Sequence, residues 1–186
     1  MMMKRLFDRI LKSMISGQAV EIDYSSPSIP GIIRTRLHPY SVMFGRGWYV
    51  VGYSGLYRQV RTFKVSRVSD IRFLEEKFEI PSKFSLDEYL GNAWYLIPDS
   101  GPDQEVVVRF SARVARNVAE VKWHKTQEMR ELPNGRIELR FQVSGLEEIQ
   151  WWILGYGEEV EVVEPPKLRK MIAEHVRKML HMYTNE

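Results

Sequence analysis

Apolar positions near the start of the chain recur at helical spacing. Leu6, Phe7, Ile10, Leu11 and Met14 lie three and four residues apart, and Ser16-Gly17 supplies a stop, which predicts an amphipathic helix. The period then changes to two. Val20, Ile22 and Tyr24 alternate with polar neighbours up to the turn-forming Ser25-Ser26-Pro27, as in a half-buried strand. Residues 32–40 alternate again and put Arg34, Arg36, His38 and Tyr40 on one face. Phe44-Gly45-Arg46-Gly47 reads as a turn, Trp48 to Tyr53 as a strand, and Ser54-Gly55 as a turn into a strand from Tyr57 to Phe63. A fifth strand is predicted from about Val65 to Phe73. A helix followed by closely connected short strands predicts a small curled antiparallel barrel over residues 1–74.

Residues 75–104 are punctuated by Glu75-Glu76, Pro81, Asp87-Glu88, Pro98, Gly101 and Pro102, and read as a linker. One short helix is predicted there near Ser85–Leu90, where Ser85 and Glu88 form a capping box. Residues 105–186 read as a second unit. Val106–Phe110 is a predicted strand and Ala112–Ala119 a short helix. Val121–Met129 and Arg136–Val143 form a predicted hairpin around Asn134-Gly135. Ser144 and Glu147 make a capping box for a helix through Trp151, Trp152 and Leu154, which Gly155 ends. Glu159–Val163 is a strand, and Pro165-Pro166 opens a long last helix with Leu168, Met171, Ile172, His175, Val176 and Met179 on one face. The succession β-α-β-β-α-β predicts a ferredoxin-like unit with an appended helix, and the whole chain is of the α+β class.

Composition excludes several functions. The 186 residues contain no cysteine, so disulfides, thiolate nucleophiles and Cys-ligated zinc or iron–sulfur sites are impossible, and a reducing cytoplasm is the expected location. No run is long and apolar enough for a membrane span, and the first residues carry too many charges for a signal peptide. His175 and His181 are six apart, outside chelating spacing, and His124 stands alone beside Trp123. Neither a Gly-x-Ser-x-Gly elbow nor a Walker A loop is present, and no carboxylate pair stands out as an acid–base couple. We therefore expect neither an enzyme nor a bound metal or cofactor.

The net charge of +3 is unevenly spread. Residues 31–72 hold eight Lys/Arg (Arg34, Arg36, Arg46, Arg58, Arg61, Lys64, Arg67, Arg72) against Asp70 alone, whereas residues 73–104 hold two against seven acids. A basic block of this kind implies an anionic partner, a solvated surface being the alternative. Tyr40, Phe44, Trp48, Tyr49, Tyr53, Tyr57 and Phe63 are interleaved with its cations. Guanidinium groups on phosphates and rings as stacking platforms suit single-stranded nucleic acid or a nucleotide. Core packing is the competing role for Trp48, Tyr49 and Phe63.

Three segments carry a family resemblance. His38-Pro39-Tyr40, Gly47-Trp48-Tyr49-Val50-Val51-Gly52-Tyr53 and Arg61-Thr62-Phe63-Lys64-Val65-Ser66-Arg67-Val68 resemble the WYL domain of bacterial transcriptional regulators, with Val50 in place of the third motif residue. Trp94-Tyr95-Leu96 has the letters of the motif but not its flanks. Residues 105–186 resemble the WCX extension that follows WYL domains, through Trp123, Gly135, Val143-Ser144-Gly145-Leu146, Trp152-Ile153-Leu154, Gly157 and Pro165-Pro166-x-Leu168-Arg169. The resemblance implies an Sm- or SH3-like barrel that binds an anionic effector, and a WCX unit that supports a homodimer. It places ligand-binding residues at Arg61, Phe63 and Arg67. Together with the basic row and the strand rings, the candidate site is Arg34, Arg36, His38, Tyr40, Trp48, Tyr49, Arg61, Phe63, Lys64 and Arg67. Such regulators carry an N-terminal winged helix-turn-helix. The WYL helix here begins almost at Met1, which implies either a regulatory fragment or a free-standing sensor. Two alternatives stand beside the sensor: a non-switching single-stranded nucleic-acid-binding protein, and a dimerisation module whose basic block meets only an acidic surface.

Overall fold

A computed structural model describes residues 2–27, 29–99 and 101–184. The chain forms two compact units, Met1–Leu86 and Asp87–Glu186. Residues 75–104, expected to be a linker, are divided between them. β5 continues to Lys77, and beyond the unit boundary Ala93 bridges Ser144 while Trp94 packs into the second core.

In the first unit α1 (Met2–Ser16) is followed by β1 (Gln18–Ser25), β2 (Ile32–Gly45), β3 (Gly47–Ser54), β4 (Gln59–Lys64) and β5 (Val68–Lys77). All pairings are antiparallel, in the order β4-β3-β2-β1-β5. The sheet is open, which corrects the expected closed barrel: β4 is only six residues long, and a 3-10 turn at Val65–Arg67 carries the chain off it before β5 begins. That turn also delays β5, which starts at Val68. β2 spans two partners, pairing with β1 up to Leu37 and with β3 from there, and is irregular between Pro39 and Ser41. Gly52 faces Pro39 at this point. A Cβ on Gly52 would stand 2.2 Å from the His38 carbonyl oxygen, so only glycine admits the close approach. One sheet face and α1 enclose a core of Leu6, Ile10, Val20, Ile22, Leu37, Val50, Phe63, Val65 and Ile71. The other face is charged.

In the second unit α2 (Leu86–Leu90) begins at the boundary. It is followed by β6 (Gln104–Phe110), α3 (Ala112–Ala119), β7 (Glu128–Glu131), β8 (Ile137–Val143), α4 (Ile149–Leu154), β9 (Val160–Glu164) and α5 (Pro166–Thr184). The antiparallel order β7-β8-β6-β9 is that of a split βαβ succession. The first arm of the expected hairpin is mostly loop. The Trp123 indole donates to the Val118 carbonyl (3.0 Å) and the Gln127 side chain accepts from the Trp123 amide (2.7 Å), so pairing starts only at Glu128. Val106, Val108, Phe110, Leu139, Phe141, Ile149 and Ile153 form the core, and Trp152 packs against it. In α5, Leu168 is fully buried, but Val176, Met179, Leu180, Met182 and Tyr183 are exposed. Among the described residues no helix is long and apolar enough to cross a membrane.

Candidate functional site

The expected row on β2 exists, and the structure supplies its anions. Asp23 on β1 lies opposite both Arg34 on β2 and Asp70 on β5, and Glu21 lies opposite both Arg36 and Arg72. The Arg34 guanidinium donates twice to the Asp23 carboxylate (2.8 and 3.1 Å). Arg72 donates to Asp23 (2.7 Å) and Glu21 (3.1 Å), with Asp70 3.4 Å away. Arg36 donates to Glu76 (2.9 Å), and His38 Nε2 lies 3.0 Å from the same carboxylate. Hydrogen bonds from Arg34, then from Arg72, outweigh partial burial and hold the Asp23 carboxyl down to about 2, from an ordinary 3.8. This face is an internally neutralised ladder.

The aromatic candidates divide in a similar way. Phe63 is 3% exposed and packs edge-on against Tyr24 (5.1 Å), inside the core. Trp48 is half-buried between Phe7 (4.4 Å) and Phe44 (5.1 Å). Tyr40 meets Phe84 (5.0 Å) and Phe78 (6.2 Å), and burial pushes its phenol pKa up, so it stays neutral. His38 stacks on Phe78 (5.0 Å, 13°). These rings pack rather than present an open platform.

Arg61, Lys64, Arg67, Tyr49 and Tyr57 gather along β4, one edge of the sheet, and its following turn. Arg61 lies over the Tyr57 ring (4.9 Å) and Lys64 over the Tyr49 ring (5.7 Å), its cross-strand partner. Arg67 is exposed on the 3-10 turn. Among the described residues none of these three cations forms an ion pair, in contrast to every cation of the ladder. Arg61 also donates to the Gln59 side-chain oxygen (3.0 Å from Nε), and its remaining N–H groups and the Lys64 ammonium are left for an anion. Tyr57 was absent from the expected set. The signal for it was its place two residues past the Ser54-Gly55 turn, at the mouth of the strand bearing Arg61.

Among the described residues, every arginine on the second unit's strands has an acidic partner. Glu138 is fully buried on β8 and accepts from Arg109 (2.9 Å) and Arg140 (3.0 Å), with Arg130 at 3.5 Å. Burial pushes the Glu138 carboxyl up, and these arginines more than offset it, leaving it below the usual range. His124 is also buried, stacked on Trp94 (5.6 Å) and bonded to Thr126 and the Ala93 carbonyl. Burial lowers its pKa, so the ring is neutral. Trp152 lies among Trp94, Phe141, Phe110 and Trp123, whereas the adjacent Trp151 is 59% exposed beside His175.

A helix-led open sheet with an aromatic and cationic edge and, after it, a split βαβ unit make a two-unit α+β architecture. Residues 5–73 match the WYL domain and residues 102–180 the WCX domain, and the chain belongs to the proteins that join these two domains. It is 25% identical over 185 residues to the uncharacterized HTH-type transcriptional regulator YobV of Bacillus subtilis (strain 168), covering 97% of this chain and 56% of that protein. The chain thus spans about half the length of this curated relative. Among solved structures, a CRISPR Cas-related protein aligns over 97% of this chain and 51% of its own, at 14% identity and a TM-score of 0.55. The proteasome accessory factor B/C (PafBC) of Arthrobacter aurescens aligns over 98% of this chain and 27% of its own, at 17% identity and a TM-score of 0.42.

Proposed function

We propose that the chain is the effector-sensing and dimerisation module of a cytoplasmic bacterial WYL-family transcriptional regulator, acting by binding rather than by catalysis. Its ligand is anionic and nucleotide-like, with single-stranded DNA the leading class. It lies along β4 against Arg61, Lys64 and Arg67, with Tyr49 and Tyr57 as stacking surfaces. One observation carries this reading: Arg61 and Lys64 lie over rings and, like Arg67, have no carboxylate partner among the described residues, while Arg34, Arg36 and His38 have one. In this reading the open five-stranded sheet with its leading helix serves as an Sm-like platform whose edge and loops are available to bases. Exposed Trp151 and the exposed Val176, Met179, Leu180, Met182 and Tyr183 of α5 support pairing of two copies through the second unit. Coupling to a DNA-binding partner domain requires the ligand to favour one of two conformations.

The test is titration of the full chain with deoxythymidine trinucleotide and with nucleotides, for wild type, Arg61→Ala, Arg67→Ala and Arg177→Ala. Loss of one charge-assisted contact weakens binding by about 1.5–3 kcal/mol, roughly ten- to a hundredfold. Arg61→Ala and Arg67→Ala each show that loss, and Arg177→Ala on α5 does not. Equal binding by the Arg61→Ala/Arg67→Ala double variant and the wild type overturns the proposal. Affinity rising steadily with strand length, with no preferred short ligand, would favour the coating-protein alternative.

A further inference from the structure

We infer that the solvent face of α1 is a second anion site, distinct from the β4 edge, which holds the phosphodiester backbone of a nucleic acid. The inward face of α1 is spent on the core: Leu6 and Ile10 are buried, and Phe7 and Met14 pack against the same cluster. The outward face carries Lys4, Arg5, Arg9 and Lys12 around a single carboxylate, Asp8, and these five residues line a shallow groove of about 390 Å³. At about 100° per residue the four cations fall within an arc of roughly 140°, and Lys4 to Lys12 spans about 12 Å of helix axis. No ion pair engages any of the four among the described residues. Lys4, Arg5 and Lys12 are exposed.

Two of these cations rest on a ring. Arg9 lies 5.5 Å and Lys12 5.7 Å from the centre of the Phe73 ring on β5, the other edge of the sheet from β4. The pattern matches that of the β4 edge, where a cation lies on a ring without a carboxylate partner. It is the reverse of the β1–β2–β5 ladder, where each guanidinium has its acid. The β1–β2–β5 ladder pairs its cations, whereas those on α1 share only Asp8, and like charges this close repel until an anion arrives. Their extent decides the ligand class. A mononucleotide phosphate reaches one or two such groups, whereas a backbone presents a phosphate to each in turn. Among the described residues the face offers no exposed ring for base stacking, so it is suited to hold a strand without reading it.

The experiment uses the full chain with Lys4→Gln, Arg5→Gln and Lys12→Gln combined. These positions are exposed, and glutamine keeps helix propensity. Binding of a labelled thirty-nucleotide strand and of a thirty-base-pair duplex is followed by anisotropy across a salt series, with the trinucleotide as the probe of the β4 edge. The inference predicts an affinity loss of about tenfold for at least one long probe, and a log-affinity against log-salt slope shallower by about two to three. Trinucleotide binding stays unchanged. Loss on one long probe alone identifies the strand or the duplex as the source of the backbone. Unchanged affinity and slope on both overturn the inference. So does a variant that loses only binding of polyglutamate, which would assign the face to an acidic protein. The proposal for β4 fails on a different readout, the trinucleotide affinity of the Arg61→Ala/Arg67→Ala variant.

Discussion

Arg61 and Phe63 are two residues apart on β4 and share a strand face, yet the structure separates their roles, and Phe63→Ala tests the separation. Phe63 is 3% exposed, touches Tyr24 edge-on at 5.1 Å and pairs in register with fully buried Val50. Truncation removes most of a buried aromatic side chain and leaves a cavity against α1, at a cost of about 3–5 kcal/mol. A small unit has about 5–15 kcal/mol of stability in total, so the loss is a large share. At roughly 4–8 °C per kcal/mol for a unit of this size, its melting transition falls by about 12 °C or more. Arg61→Ala changes the same transition by no more than about 0.5 kcal/mol, because the side chain is exposed, while it lowers ligand affinity. Scanning calorimetry reads the first unit's transition, and trinucleotide titration below that temperature reads binding. A Phe63→Ala protein that melts with the wild type and loses ligand would refute the core assignment and restore Phe63 as a stacking platform.

Trp151→Ala leaves folding intact and weakens self-association by about 2 kcal/mol, roughly thirtyfold, as sedimentation equilibrium would show, whereas Trp152→Ala removes about 3–5 kcal/mol of stability from the second unit. Asp23 is ionised to lower pH folded than unfolded, so its contribution is complete above about 3.8 and is lost as pH falls through about 2. Urea midpoints for Asp23→Asn should therefore lie below wild type at neutral pH and converge with it toward pH 2; a constant gap would contradict the pairing. Gly52→Ala puts a Cβ into the His38 carbonyl and costs about 1–3 kcal/mol, visible as a lower denaturation midpoint for the first unit.

Element type was readable where the period was clean. The 3.6-residue spacing of α1 and the alternation along β2 appear in the structure, since each rests one face on a core, whereas α5 does so only near Leu168 and leaves Val176 and Met179 exposed. The Val121–Trp123 stretch misled because side-chain bonds from Trp123 and Gln127 close a loop that alternation alone reads as strand. Barrel closure was not readable either, because it depends on whether two edge strands meet. The site was half legible. Alternation placed Arg34, Arg36 and His38 on one face, but their acids are Asp23 and Glu76, brought in from β1 and β5. A charge sum over consecutive residues cannot see pairs made across a sheet. The sum also passed over α1, whose four cations and one acid give +3, because Glu21 and Asp23 bring residues 1–30 down to +1.

The central claim is that an anionic ligand lies along the β4 edge, and amide NMR of the full chain titrated with deoxythymidine trinucleotide tests it most directly. Perturbed signals should centre on Tyr49, Tyr57, Arg61, Lys64 and Arg67, and those of Arg34, Arg36 and Asp23 should stay in place. Perturbations centred on the β1–β2–β5 ladder, or no saturable shifts at all, would contradict it.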